Sequence, residues 1–108
     1  MISQYQDIVE EVVNEKVTRK ILNHSPALMV VQVRFKAGGI GEPHRHAEHE
    51  QIGYIINGRF EVTVGDEKKI LMAGDSFYAG RNVMHGVIAL EDSILLDIFT
   101  PRRNDFLK

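Results

Sequence analysis

Hydrophobic positions in this chain fall into short runs and not at helical spacing. From Val30 onward, β-branched and aromatic residues alternate with polar ones, and glycine-containing turns interrupt them at close intervals, the pattern of an antiparallel all-β domain. Ala27 to Lys36 reads as an apolar strand, after which Gly38, Gly39 and Gly41 predict a long loop or sharp bend. Gln51 to Ile56 and Arg59 to Val64 are predicted to form a hairpin through Asn57-Gly58, a pair suited to the positive φ angles of a type I′ turn. Gly65-Asp66 is predicted to fold the strand Lys68 to Met72 against the previous one, and Gly74-Asp75 makes another turn. Val83 to Leu90 and Ser93 to Thr100 supply the last strands around the corner Glu91-Asp92, and Pro101, with no N–H to donate, ends the ladder. About eight strands at such spacing predict a barrel or jelly roll.

The stripe Phe60, Val62 and Val64 is expected in the core. Ile8, Val9, Val12 and Val13 fit a helical face, but their β-branched content favours an edge strand or N-terminal arm over residues 1–20. Residues 101–108, including Arg102, Arg103 and Phe106, are expected to lie back on the barrel as a tail. With no repeat or low-complexity tract, residues 1–108 are read as a single domain.

Composition narrows the functional classes. A chain of 108 residues with 44% hydrophobic and 26% charged residues can build one packed core. A net charge of -2, with no basic block, argues against nucleic acid as a partner. There is no cysteine, so any metal site must use nitrogen and oxygen donors. Neither a basic leader with an apolar run nor a window long enough to span a bilayer is present, so a cytoplasmic protein with no membrane partner is expected.

The candidate chemistry lies in the histidines. On a strand, His44 and His46 would point to one face and bring two imidazoles together. Gln51 stands five residues beyond with a neutral carbonyl oxygen, and His85 sits in the apolar run Val83-Met84-His85-Gly86-Val87. Three imidazoles and an amide oxygen suit zinc, nickel, iron or manganese. Taken singly, the pair reads as two surface histidines, and His85 as a hydrogen-bonded core residue. His24 and His49 read as surface residues, with His49 near enough to be an alternative ligand.

A second constellation is in Ile94 to Phe99. Strand alternation puts Leu95, Asp97 and Phe99 on one face, and both faces are apolar apart from Asp97. That carboxylate is therefore buried or faces a cavity, where its pKa would rise toward the range of a general acid or base, unless it simply pairs with Arg103 or another cation. Arg103 could fork to a substrate carboxylate or be solvated. Phe99 is core or pocket wall. Gln32 and Arg34 share a face and would line a pocket mouth or face water, and Tyr54 and Arg59 have the same ambiguity.

The run Gly38, His44-Arg45-His46, Gln51, Gly58 resembles the first cupin motif, and Gly74 through His85 resembles the second, with fifteen residues between them. Gly80, Asn82 and Ala89 depart from the usual Pro, Gly and Asn, and Gln51 stands where many cupins carry a glutamate. The last departure, with Glu42-Pro-His-Arg-His46, Gly58-Arg-Phe60, Gly74-Asp-Ser76 and Leu96-Asp97-Ile-Phe99-Thr-Pro101-Arg-Arg103-Asn-Asp105-Phe106, is similar to the KdgF-type cupins of pectin and alginate breakdown. That resemblance implies a double-stranded β-helix holding one divalent transition metal through His44, His46, Gln51 and His85. It implies ring opening of 4,5-unsaturated monouronates to linear 5-keto-4-deoxyuronate, and a homodimer. Within it, Asp97 would relay protons, Arg103 or Arg34 would hold the acid group, and Phe99 would wall the pocket. A metal-dependent dioxygenase and a non-catalytic sugar- or metabolite-binding cupin are the alternatives.

Overall fold

The computed structural model describes residues 1–107, so Lys108, the end of the expected tail, lies outside the described residues. The β-branched and aromatic runs form ten strands: β1 (Glu11–Asn14), β2 (Val17–Ser25), β3 (Leu28–Phe35), β4 (Ile40–His44), β5 (Glu50–Asn57), β6 (Arg59–Val64), β7 (Glu67–Met72), β8 (Ser76–Ala79), β9 (His85–Ala89) and β10 (Ser93–Thr100). Helix is confined to the 3-10 turns Tyr5–Asp7 and Asn104–Leu107 among the described residues.

Two antiparallel sheets face each other, one ordered β1-β2-β3-β10-β5-β8 and the other β4-β9-β6-β7. Inward positions alternate along β3 and β10, so Met29, Val31, Val33 and Phe35 meet Leu95 and Phe99 across one sheet while Phe60 and Val62 come from the other. Phe35 and Phe60 join the layers edge to face, with ring centroids 5.0 Å apart. This is the all-β jelly roll that the alternation predicts, with Phe60 and Val62 buried and Val64 packed beside them.

Several local expectations change. Asn57-Gly58 is not a hairpin turn: β5 pairs with β10 and β8, β6 pairs with β7 and β9, and the dipeptide carries the chain from one sheet to the other. Gly58 alone of the pair has positive φ, at 85°, and a Cβ there would lie 2.0 Å from the Ser93 hydroxyl. Glycine is required by close approach, and no I′ turn forms. Gly65-Asp66 does close a hairpin, with Val64 opposite Glu67 and Gly65 at φ 59°. The loop expected after Gly38 is short, because β4 starts at Ile40 and pairs with β9. β2 and β8 were not legible as strands, since neither shows strict alternation, and β8 is held by β5, distant in sequence. β1 forms an edge of the six-stranded sheet. Past β10, Phe106 folds back onto the core, its ring 5.8 Å from that of Phe99.

Candidate metal centre and cavity

Strand pairing explains how distant side chains meet. His44 ends β4 directly opposite His85, the first residue of β9. Gln51 comes from β5 in the other sheet, diagonal to Asp97 on β10, because Asp97 pairs with Gly53 and Phe99 with Gln51. His46 lies beyond the end of β4, in the connection to β5, so the two-residue spacing does not act through strand alternation. The loop nevertheless returns its ring to His44, with Nε2 atoms 3.1 Å apart. The ligand atoms of His44, His46 and His85 lie within 4.8 Å of one another. His44, His85 and Gln51 line a cavity of about 410 Å³ between the sheets, walled by Val33, Phe35, Val87, Leu95 and Phe99, and His46 reaches His44 from outside that lining.

The hydrogen bonds around these rings settle which atoms are free. Nδ1 of His44 is 2.6 Å from the Glu42 carbonyl and Nδ1 of His85 is 2.9 Å from the Val83 carbonyl, so each Nδ1 donates and each Nε2 presents a lone pair. Gln51 donates its amide Nε2 to Asp97 Oδ1 at 2.9 Å, which turns its carbonyl oxygen toward His85 Nε2, 3.0 Å away. Arg103 Nη1, which can only donate, stands 3.5 Å from His46 Nε2 and so favours a lone pair there; acceptor then faces acceptor at both contacts, an arrangement that a shared cation relieves. Protonation of two of the rings is disfavoured: burial first, then Arg103 and the neighbouring imidazoles, push His46 down to about 4, and burial lowers His85 against the opposing pull of the Val83 carbonyl. Neutral rings with bare Nε2 atoms and an oriented amide oxygen are the ligand forms a divalent transition ion takes, and the backbone carbonyls fix their tautomers.

Asp97 is 9% exposed, and burial pushes its carboxyl up to about 7 against the opposing Gln51 hydrogen bond and Arg103 charge. Its Oδ2 makes no hydrogen bond among the described residues and is not sealed off, so it opens on the cavity. A direct pair with Arg103, one of the sequence expectations, does not form: Arg103 binds Asp105 at 2.7 Å and Asp97 binds Gln51. Arg103 still points into the site, with Nη1 3.5 Å from His46 Nε2. Phe99, 2% exposed, walls the cavity beneath it and meets the His46 ring edge on at 6.1 Å.

Arg34 is a correction. It is exposed between buried Val33 and Phe35, so alternation turns it to the outer face of β3 and away from the cavity. Gln32 shares that face and accepts from the Tyr5 hydroxyl, Tyr54 is exposed, and Arg59 pairs with Glu91 outside the barrel. His24 is exposed. His49 contacts the Pro101 carbonyl through Nδ1 and stands outside the histidine trio. Sequence reasoning missed Arg19, which lines the cavity; its inward place between Val17 and Ile21 was the available signal, obscured while residues 1–20 were read only as an edge strand or arm.

Comparison with known proteins agrees with this architecture. Residues 31–99 match the family described as the cupin domain. The pectin degradation protein KdgF of Dickeya dadantii is 48% identical over 98 residues, covering 90% of this chain and 89% of that one. The solved structure of KdgF from a Halomonas species has a TM-score of 0.95 at 43% identity, covering 98% of this chain and 97% of that one. An RmlC-like cupin from Shewanella frigidimarina reaches 0.93 at 35% identity, over 97% and 94% of the two chains. A sequence match through both histidine motifs, together with a superposition over nearly the whole length, makes this chain a member of the cupin domain family, of the KdgF type.

Proposed function

We propose that this protein is a metal-dependent enzyme that opens the ring of 4,5-unsaturated monouronates to the linear keto acid. The observation that carries the reading is the convergence of four bare acceptor atoms beside a buried carboxyl with one oxygen open to the cavity. Similarity to proteins named for pectin degradation supplies the substrate class. His44, His46 and His85 through Nε2, and Gln51 through its carbonyl oxygen, would hold the ion, with zinc, nickel, iron or manganese all suited to such donors. When bound, the metal supplies Lewis-acid stabilisation of negative charge developing on substrate oxygen, strengthened here because the fourth ligand is a neutral amide.

The chain's own groups perform the rest. Such a sugar is a cyclic enol ether with a hemiacetal at C1, so opening transfers the C1 hydroxyl proton to C4 while the bond from C1 to the ring oxygen breaks. C1 becomes an aldehyde and C5 a ketone, with no net change of atoms or oxidation state. Asp97 Oδ2 takes the proton from the C1 hydroxyl and returns it to C4. Arg103, with Nε and Nη2 held by Asp105, binds the substrate carboxylate through Nη1, and Phe99 forms the apolar floor that keeps the sugar over Asp97. The test follows the conjugated ultraviolet absorbance of a purified 4,5-unsaturated monouronate with metal-loaded protein, chelated protein and no protein. Metal-dependent loss of absorbance above the spontaneous rate is expected. No acceleration with metal fully loaded overturns the reading; oxygen consumption would then identify an oxygenase, and tight binding without product a binding protein.

A cytoplasmic homodimer belongs to the same proposal, the compartment following from the sequence reading alone. The dimer is supported by the outer face of the six-stranded sheet, where exposed Ile52 pairs with exposed Tyr78 and Tyr54 and Ile56 extend the apolar row. A second copy stacked on that face would cover it. Light scattering is expected to give twice the chain mass for the wild type and the chain mass for Ile52→Lys; a monomeric wild type overturns the dimer.

A further inference from the structure

Two guanidinium groups meet at one ring. The Cζ of Arg19 lies 3.8 Å from the centroid of Phe106, and that of Arg103 lies 4.1 Å from it. At such distances a guanidinium can only sit over a face, because an in-plane approach would overlap the ring carbons. The ring of Phe106 is therefore the contact that the two guanidinium groups share. The ring is steadied in turn by Phe99, edge on at 5.8 Å and 87°.

Each arginine is also anchored by a carboxylate. Arg19 Nε donates to Glu11 at 2.9 Å, and the two residues are direct partners in the β1–β2 ladder. Arg103 donates through Nε and Nη2 to both oxygens of Asp105, leaving Nη1 as the nitrogen that faces His46. The side chains of Arg19 and Arg103 are only 24% and 15% exposed, so both contacts are shielded from competing water. Glu11, Arg19, Phe106 and Arg103 thus form a continuous stack from the edge of the six-stranded sheet to the histidine cluster. The segment carrying Arg103 follows β10 and has only a short 3-10 turn of its own, so its position must be set by what it packs against.

We infer that Arg19 is a positioning residue which, through the ring of Phe106, sets Arg103 at the cavity and thereby the affinity for an anionic sugar substrate. The inference rests on the carboxylate-holding role given to Arg103 under the proposed function. Arg19→Met keeps an apolar cover on the ring and removes the charge, and Phe106→Leu removes the ring that both arginines share. In the metal-loaded protein, either change is expected to raise KM by about five- to tenfold and leave kcat within about twofold, the scale of one lost partly shielded cation–π contact.

A double-mutant cycle separates positioning from direct contact or simple loss of fold. If Arg19 acts through Arg103, adding Arg19→Met to Arg103→Met costs no further affinity. Additive effects, or an unchanged KM in both single variants, overturn the inference. One readout does not depend on turnover: the Nε–H resonance of Arg103 in the nuclear magnetic resonance spectrum is expected to move and broaden in Arg19→Met and to recover in Arg19→Lys, which restores a cation over the ring. An unmoved resonance overturns the stack, whereas a moved resonance without ring opening by the wild type leaves the stack standing and removes only the substrate.

Discussion

Replacing His85 by alanine is expected to abolish tight metal loading and to lower ring-opening turnover by more than about a hundredfold, since even changes to groups that merely orient a ligand cost about 10–100-fold. His85 is buried, and its Nδ1 is committed to the Val83 carbonyl, which fixes its Nε2 toward Gln51 and the other imidazoles. The same site predicts a thermal signature. A metal that binds the folded chain and not the unfolded one adds about 2.7 kcal/mol of stability when free metal is 100 times its Kd. For a domain of this size that raises Tm by about 10–20 °C. Chelation should remove the increment in the wild type and change nothing in His85→Ala. A wild-type Tm indifferent to zinc, nickel, iron and manganese alike would refute the metal centre, whatever the activity assays give.

Asp97→Asn is expected to lower kcat by about 10²–10⁴-fold while metal content stays at the wild-type level. The asparagine oxygen can still accept from Gln51 Nε2, so the amide that presents its carbonyl to His85 keeps its orientation and only the proton-carrying oxygen is lost. Asp97→Leu differs in a diagnostic way. It frees the Gln51 amide to rotate, and metal affinity should fall by about 10–100-fold along with turnover. Elemental analysis of the purified variants, set beside their rates on the unsaturated monouronate, distinguishes the two effects. Full activity of Asp97→Asn with metal bound would transfer the proton step to another group.

Much of this site was readable before any coordinates because it lies on strands whose side chains alternate. Asp97 sits between Leu95 and Phe99 in a run with apolar residues on both faces, and such a position leaves a carboxylate nowhere to go but inward. The histidine and glutamine positions were legible for a different reason: their spacing is that of the cupin motifs, although the geometric reasoning attached to it needed repair. His46 reaches His44 from a loop, where strand alternation has no say. Arg34 was misplaced although the pattern already argued against it: Met29, Val31, Val33 and Phe35 form an apolar face, which leaves Gln32 and Arg34 on the outer one. Arg19 was missed because its strand pairs with residues on both sides of it in sequence, Glu11 before and Val33 after, and neither partner is signalled by local pattern.

The turns show the same division. Gly65-Asp66 behaves as its sequence predicts because a two-residue hairpin is a local object, stabilised by its own φ angles and the ladder beside it. Asn57-Gly58 has an equally strong local signal and does something else, since Ser93 packed against Gly58 and the pairing of β5 with β10 outweigh a turn preference worth little by itself. By itself the sequence determined the β class, the buried alternation that turns Asp97 inward and the donor types available to a metal, all of which follow from local periodicity and residue chemistry. Only the tertiary structure decided which strands pair, that Gln51 rather than Arg103 holds Asp97, and that Arg19 and Arg103 share the ring of Phe106. Those contacts join residues far apart in the chain, and their free energy comes from burial and strand pairing that no local window contains.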